Sequence, residues 1–203
     1  MSTLFRLSPS ICLALLTGLA ATGAAADGAC HIPAWSDPDV PGEPPVHAAP
    51  SADSPVLGHA PRPGPNSDIA GFGADFTVTA LRDGWARIAD VADPDSGRAG
   101  PDGWIDARLV TFVAQTQVAF AAPDPAAPPV WTGDQWPVTG ALLECRGAWA
   151  LLRFTPVTLV EGDWVAGAPV TGWVRGICGN QWTTCDGLNG DWAKDLAKDQ
   201  AKD

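Results

Sequence analysis

Short apolar runs, not long periodic ones, organise this chain. "FTVTAL" (76–81), "GWARIADV" (84–91), "WALLRF" (149–154) and "GWVRGI" (172–177) are each rich in β-branched, aromatic or aliphatic residues, and Gly, Pro or Asp bounds them. Runs of that length between turn-forming residues predict β-strands. "RDG" ahead of Trp85 and "RGA" ahead of Trp149 predict hairpin turns, so each Trp should open a returning strand. "DPDSGRAGPDG" (93–103) and "EGDWVAGAP" (161–169) read as long excursions between strands. The predicted fold class is all-β.

The two ends depart from this pattern. Arg6 precedes the apolar run "ICLALLTGLAATGAAA" (11–26), which finishes in small residues. That is the layout of a secretory signal peptide (residues 1–26), with cleavage expected after Ala26. The run is too short for a membrane span and no later segment is long enough, so the expected location is periplasmic or secreted. Residues 27–44, rich in Pro, Asp and Gly, read as an irregular lead-in. Residues 186–203 read as a polar tail with an Ala-Lys-Asp rhythm and too few apolar positions for a buried face.

The runs also repeat. "VHAAPSADSPVLG" (46–58), "DFTVTALRDGWARIAD" (75–90) and "GPDGWIDARLV" (100–110) are followed, in the same order, by "AFAAPDPAAPPVW" (119–131), "VTGALLECRGAWALLRF" (138–154) and "PVTGWVRGICG" (169–179). Ala-Ala-Pro, a strand-opening Trp and a late Gly-Trp recur at similar spacing. The order predicts two tandem units, 45–113 and 114–185, each near the size at which a small barrel can close a core.

These landmarks resemble bacterial SH3 domains: "V-x-x-x-P-S" from Val46, "VLG" at 56–58, a central Gly-Trp and a second Gly-Trp-(Ile/Val). More narrowly, "AC" with "AWSDPD" (29–39), "GFGADF" (71–76) and "C-x-N-Q-x-T-T-C" (178–185) make the exported chain similar to the tandem SH3-like proteins of alphaproteobacteria. The resemblance implies two SH3-like barrels of five to six strands each, in a non-catalytic envelope module often associated with peptidoglycan or its enzymes. Two departures stand where a ligand groove would be shaped. Pro45, Val46 and His47 (Ala119 and Phe120 in the second unit) replace the family's Asn-Val-Arg, and the insertion at 59–75 is long.

Charge narrows the partners. The formal net charge is −11, and Lys occurs only at 194, 198 and 202, in the tail. A folded part so poor in cations cannot neutralise phosphates, which argues against nucleic acid and against anionic membrane surfaces.

With Cys12 removed in the signal, Cys30, Cys145, Cys178 and Cys185 form an even set, which predicts two disulfides in an exported chain. Aligning the units sets Cys145 against Leu81 and Cys178 against Leu109, so a Cys145–Cys178 bridge would replace a core contact, with Cys30–Cys185 as the second. Cys178–Cys185 with Cys30–Cys145 stays open, because a short loop closes at little entropic cost. Zinc is disfavoured, since six residues separate Cys178 from Cys185. "DPDSG" begins like a calcium loop but has Arg98 at its sixth position and Trp104 at its twelfth. The histidines (31, 47, 59) lie away from Cys145, Cys178 and Cys185, and no Gly-x-Ser-x-Gly elbow occurs. No catalytic, metal or cofactor-binding residue is expected.

The tryptophans carry the remaining signal. Trp85, Trp104, Trp149 and Trp173 recur between units and read as core or barrel-edge residues. Trp131, Trp136 and Trp164, like Trp182, have no repeat partner. They either form an exposed binding surface or pack between the units. The expected function is a non-enzymatic envelope binding module for peptidoglycan or a protein. The alternative is an accessory subunit or inhibitor of an envelope enzyme.

Overall fold

The computed structural model describes residues 29–133, 138–178 and 181. It is all-β. The strands are β1 (Ile32–Ser36), β2 (Pro45–His47), β3 (Val56–His59), β4 (Asp75–Arg82), β5 (Trp85–Ala92), β6 (Gly103–Asp106), β7 (Val110–Thr111) and β8 (Val113–Ala114). They continue with β9 (Val118–Phe120), β10 (Pro129–Thr132), β11 (Ala141–Arg146), β12 (Trp149–Phe154), β13 (Val157–Val160), β14 (Asp163–Ala166), β15 (Val170–Val174) and β16 (Ile177–Cys178). A 3₁₀ turn, Ala107–Leu109, is capped by the Asp106 carboxylate.

A seven-stranded sheet runs β3-β2-β6-β5-β4-β1-β7, and a five-stranded sheet runs β10-β9-β15-β12-β11. Five strands therefore follow one another in the same spatial order in both sheets. The β4–β5 hairpin closes at Arg82 and Trp85, and β11–β12 closes at Arg146 and Trp149. Asp83-Gly84 and Gly147-Ala148 are thus two-residue loops, whose positive φ at Asp83, Gly84 and Gly147 matches the twist of the flanking strands.

The repeated Gly-Trp has a steric cause. A Cβ on Gly103 would come within 2.6 Å of the His47 carbonyl and 2.7 Å of Val46 Cγ1; one on Gly172 would come within 2.6 Å of Val130 Cγ2 and 2.8 Å of Ala119 Cβ. In each sheet the following Trp then pairs across to the neighbouring strand, Trp104 with His47 and Trp173 with Phe120. Those same residues lie edge-on against the hairpin tryptophans: His47 on Trp85 at 5.1 Å between centroids, Phe120 on Trp149 at 5.7 Å.

The lead-in is not irregular throughout. Ile32–Ser36 forms β1, antiparallel to β4 and β7, with Ile32, Ala34, Trp35 and Ser36 buried. One cluster of buried side chains runs through both large sheets, from Ile32, Val78, Ile88 and Ile105 to Leu142, Ala150, Leu152 and Val174.

The preferred disulfide pairing is overturned. Cys30 bonds to Cys145, with Cα atoms 5.4 Å apart, inside that shared core. Cys178 is also disulfide-bonded, and its partner lies outside the described residues, as does Cys185. The pairing follows from β1: the Cys30 N–H donates to the Thr79 carbonyl of β4, while the His31 N–H donates to Gly147 and the Gly147 N–H donates to Ala29. The residues before β1 thus lie between the first sheet and the turn that follows Cys145. The proposed signal peptide and tail lie outside the described residues.

Candidate functional site

The sequence-derived candidates separate. Trp136 lies outside the described residues, as does Trp182. Trp131, on β10, is half-buried: its ring meets Phe154 edge-on at 5.2 Å, packs against the core and overlies Gly133. It is not an exposed platform: its ring contact with Phe154 lies within the second sheet, and the core it packs against runs through both sheets. Trp164 is 65% exposed.

The recurring tryptophans sit on interior strands of their sheets, Trp85 and Trp104 on β5 and β6, Trp149 and Trp173 on β12 and β15. Trp85, Trp104 and Trp149 are half-buried and Trp173 is buried. The Arg146 guanidinium lies 5.3 Å from the centre of the Trp173 ring and Arg175 lies 5.2 Å from Trp149, so each cation shields an aromatic face while its own charge stays near solvent. Arg146 is further held by Glu144, at 2.8 Å.

The hairpin that carries Trp164 is the distinctive surface. β13 and β14 pair only with each other among the described strands. Val157, Leu159 and Trp164 project on one face, and Val160 and Val165 on the other, as the register Val157↔Ala166, Thr158↔Val165, Leu159↔Trp164, Val160↔Asp163 requires. All five apolar side chains are exposed, between 44% and 65%. Glu161-Gly162 forms the loop, with positive φ at both residues (53° and 96°). Every residue from 157 to 168 is exposed. In the first sheet the corresponding connection, between β5 and β6, carries no hairpin. There Asp93 folds a polar turn on itself, accepting the Asp95 N–H at 2.9 Å and the Ser96 hydroxyl at 2.6 Å.

Sequence reading took "EGDWVAGAP" as an excursion and passed over "VTLV" (157–160). The signal was present: Glu-Gly between two short apolar runs is a two-residue loop flanked by strands. Apolar residues on both faces suggest burial, and here they are exposed instead.

Two segments singled out in the sequence meet elsewhere. The Gln181 side chain accepts the Gly73 N–H at 2.7 Å and donates to the Gly73 carbonyl at 2.9 Å and to Asp75 Oδ1 at 2.7 Å. This clasp joins "GFGADF" to the closing cysteine segment. Burial raises the pKa of Asp75, against the opposing pull of the Gln181 hydrogen bond.

Among the described residues, no group of three or more His, Cys, Asp or Glu side chains is placed to hold a metal, and no helix is long and apolar enough to cross a membrane. Cys30, Cys145 and Cys178 are oxidised, so none offers a thiolate.

No family model and no curated protein matches the chain. Among solved structures, "Structure of NlpC2 from Trichomonas vaginalis" overlaps 83% of this chain and 55% of its own, at 15% identity and a TM-score of 0.29. The chain spans about half the length of that protein. A likeness that slight carries no argument about fold or chemistry.

Proposed function

We propose that this protein is a non-enzymatic binding module exported to the bacterial cell envelope, built of two tandem SH3-like units, and that the β13–β14 hairpin is the surface it offers to a protein ligand. The observation that carries the reading is the exposure of Leu159, Trp164 and three valines on one small hairpin. Contiguous exposed apolar surface of this kind marks contact sites. The shared strand order of the two sheets, the paired His47–Trp85 and Phe120–Trp149 contacts and the resemblance to bacterial SH3 domains support the two-unit reading. The oxidised cysteines support export. An envelope enzyme regulated by this chain is one form the protein ligand can take.

Peptidoglycan is the second reading, favoured by the exposed Trp164 ring as a stacking platform for sugars. The aliphatic neighbours of that ring suit a protein better. Co-sedimentation of the oxidised protein with purified insoluble peptidoglycan, at low and high salt, separates the two. The protein-ligand reading expects the chain in the supernatant under both conditions. Salt-resistant pelleting that Trp164→Ala abolishes would overturn it in favour of the wall. A photo-crosslinking residue at position 164, in the exporting bacterium, should give a discrete protein adduct that the same residue at the exposed turn position 124 does not. Without that adduct the hairpin is not the contact surface.

A further inference from the structure

The hydrogen-bonding parity of the hairpin gives its contact a definite form. The Gly167 N–H donates to the Pro156 carbonyl at 2.8 Å, and the two-residue loop closes at Val160 and Asp163. The hydrogen-bonded pairs are therefore 156/167, 158/165 and 160/163, and the 159/164 and 157/166 pairs point their backbone groups outward. On β14 these outward groups are the N–H and C=O of Trp164 and Ala166, and no described residue receives them.

The other strand edges of the two large sheets are blunted. β10 opens on Pro129 and its register breaks between Pro129 and Trp131; β3 follows Pro55 and its partner breaks register between Val46 and His47. β11 breaks between Leu142 and Glu144, and β7 has two residues. Such interruptions prevent edge-to-edge pairing. β14 has none: its register is regular, and it contains neither Pro nor Lys. Trp164, on one face, and Val165, on the other, would grip an incoming strand from both sides.

We propose, resting on the assignment of the hairpin as the contact surface, that β14 is a strand-addition site for an extended segment of a partner protein, apolar in its middle and carrying Lys or Arg at the end that passes Asp163. Main-chain hydrogen bonds from Trp164 and Ala166 hold the segment and the flanking side chains select it. The basic end is matched by the acidic surroundings: Asp163 on the strand and Glu161 in the loop are both acidic, and the chain carries −11. A second copy would bring the same sign to the same edge.

The test uses amide hydrogen exchange of the oxidised protein with a synthetic peptide TVTVKK at up to millimolar concentration. The expected result is several-fold slower exchange at Trp164 and Ala166. The effect should vanish when alternate peptide amides are N-methylated, weaken with salt, and be absent in Ala166→Pro, which removes one outward donor from an edge that tolerates Pro. If TVTVKK gives no protection, strand addition is overturned, and a crosslink at position 164 would still stand for the hairpin as a contact surface. If TVTVEE protects equally, the basic character of the partner is overturned. If protection grows with protein concentration alone, the occupant is a second copy and the proposal fails.

Discussion

Gly172 lies so close to Ala119 that a Cβ built on it would stand 2.8 Å from the Ala119 Cβ. Gly103 meets Val46 and His47 in the same way in the first sheet. The Gly of each Gly-Trp is thus a spacing device that lets β2 and β9 approach β6 and β15. Gly172→Ala and Gly103→Ala should each lower stability by roughly 1–3 kcal/mol, the cost of overpacking a closed core. Gly167→Ala, where the nearest contact is an ordinary 3.5 Å, should cost little. Urea unfolding of the three variants checks the contrast.

The Cys30–Cys145 bond closes a loop that encloses every strand of the first sheet and β9 and β10 of the second, while β12 and β15 follow it in the chain. Its loss in a Cys30→Ser, Cys145→Ser double variant should cost about 2–5 kcal/mol. Mass spectrometry of a non-reducing digest should recover a peptide joining residues 30 and 145. With Cys12 removed in the proposed signal peptide, it should also recover a Cys178–Cys185 peptide. A 145–178 peptide would contradict the fold described here.

Trp131 and Trp164 should separate by their roles. Trp131→Ala, which strips a half-buried ring from Phe154, should cost roughly 2–3 kcal/mol, less than the ~3–5 kcal/mol of a fully buried ring. Trp164→Ala should leave stability within about 0.5 kcal/mol, because its ring is mostly in water. Thermal or urea midpoints distinguish the pair, and an equal loss in both would mean that the hairpin is packed.

Acid should act in two opposed steps. Burial raises the pKa of Asp75, so the folded state takes up its proton at higher pH than the unfolded chain does. Stability gains as pH falls through that window, which lies above the ordinary aspartate value of about 4. Asp93 is displaced the other way. Burial opposes its charge, but hydrogen bonds from Ser96 and from the Asp95 and Ser96 N–H groups, with the Arg98 charge, outweigh that and lower its pKa. Its contribution is present above the ordinary range and is lost as pH falls through the folded value. Asp75→Asn should flatten the upper limb of stability against pH, and Asp93→Asn the lower one.

Much of the strand inventory was legible, because short apolar runs between Gly and Asp turns leave few alternatives. The 83–84 and 147–148 loops and the doubled Gly-Trp could be read directly. β1 could not, since Pro33 and the surrounding Asp and Gly residues look like breakers. Pro33 is tolerated because at that point β1 has only β4 beside it, β7 reaching only Trp35 and Ser36. The disulfide was misread for the same reason. Aligning the units treats each as self-contained, whereas the residues before β1 cross to the second sheet. Nor could sequence separate Trp131 from Trp164, because one sits over Phe154 and the other stands on a hairpin that only the fold projects outward.

Cys30 lies 115 residues ahead of Cys145, and no cysteine lies between them. The first thiol to follow it is therefore the correct one. Cys178 and Cys185 arrive only after that choice has been on offer. Wherever the chain meets an oxidant from its N-terminal end onward, this order favours the correct pair before a wrong one is on offer, and a cysteine introduced within residues 31–144 would remove that advantage.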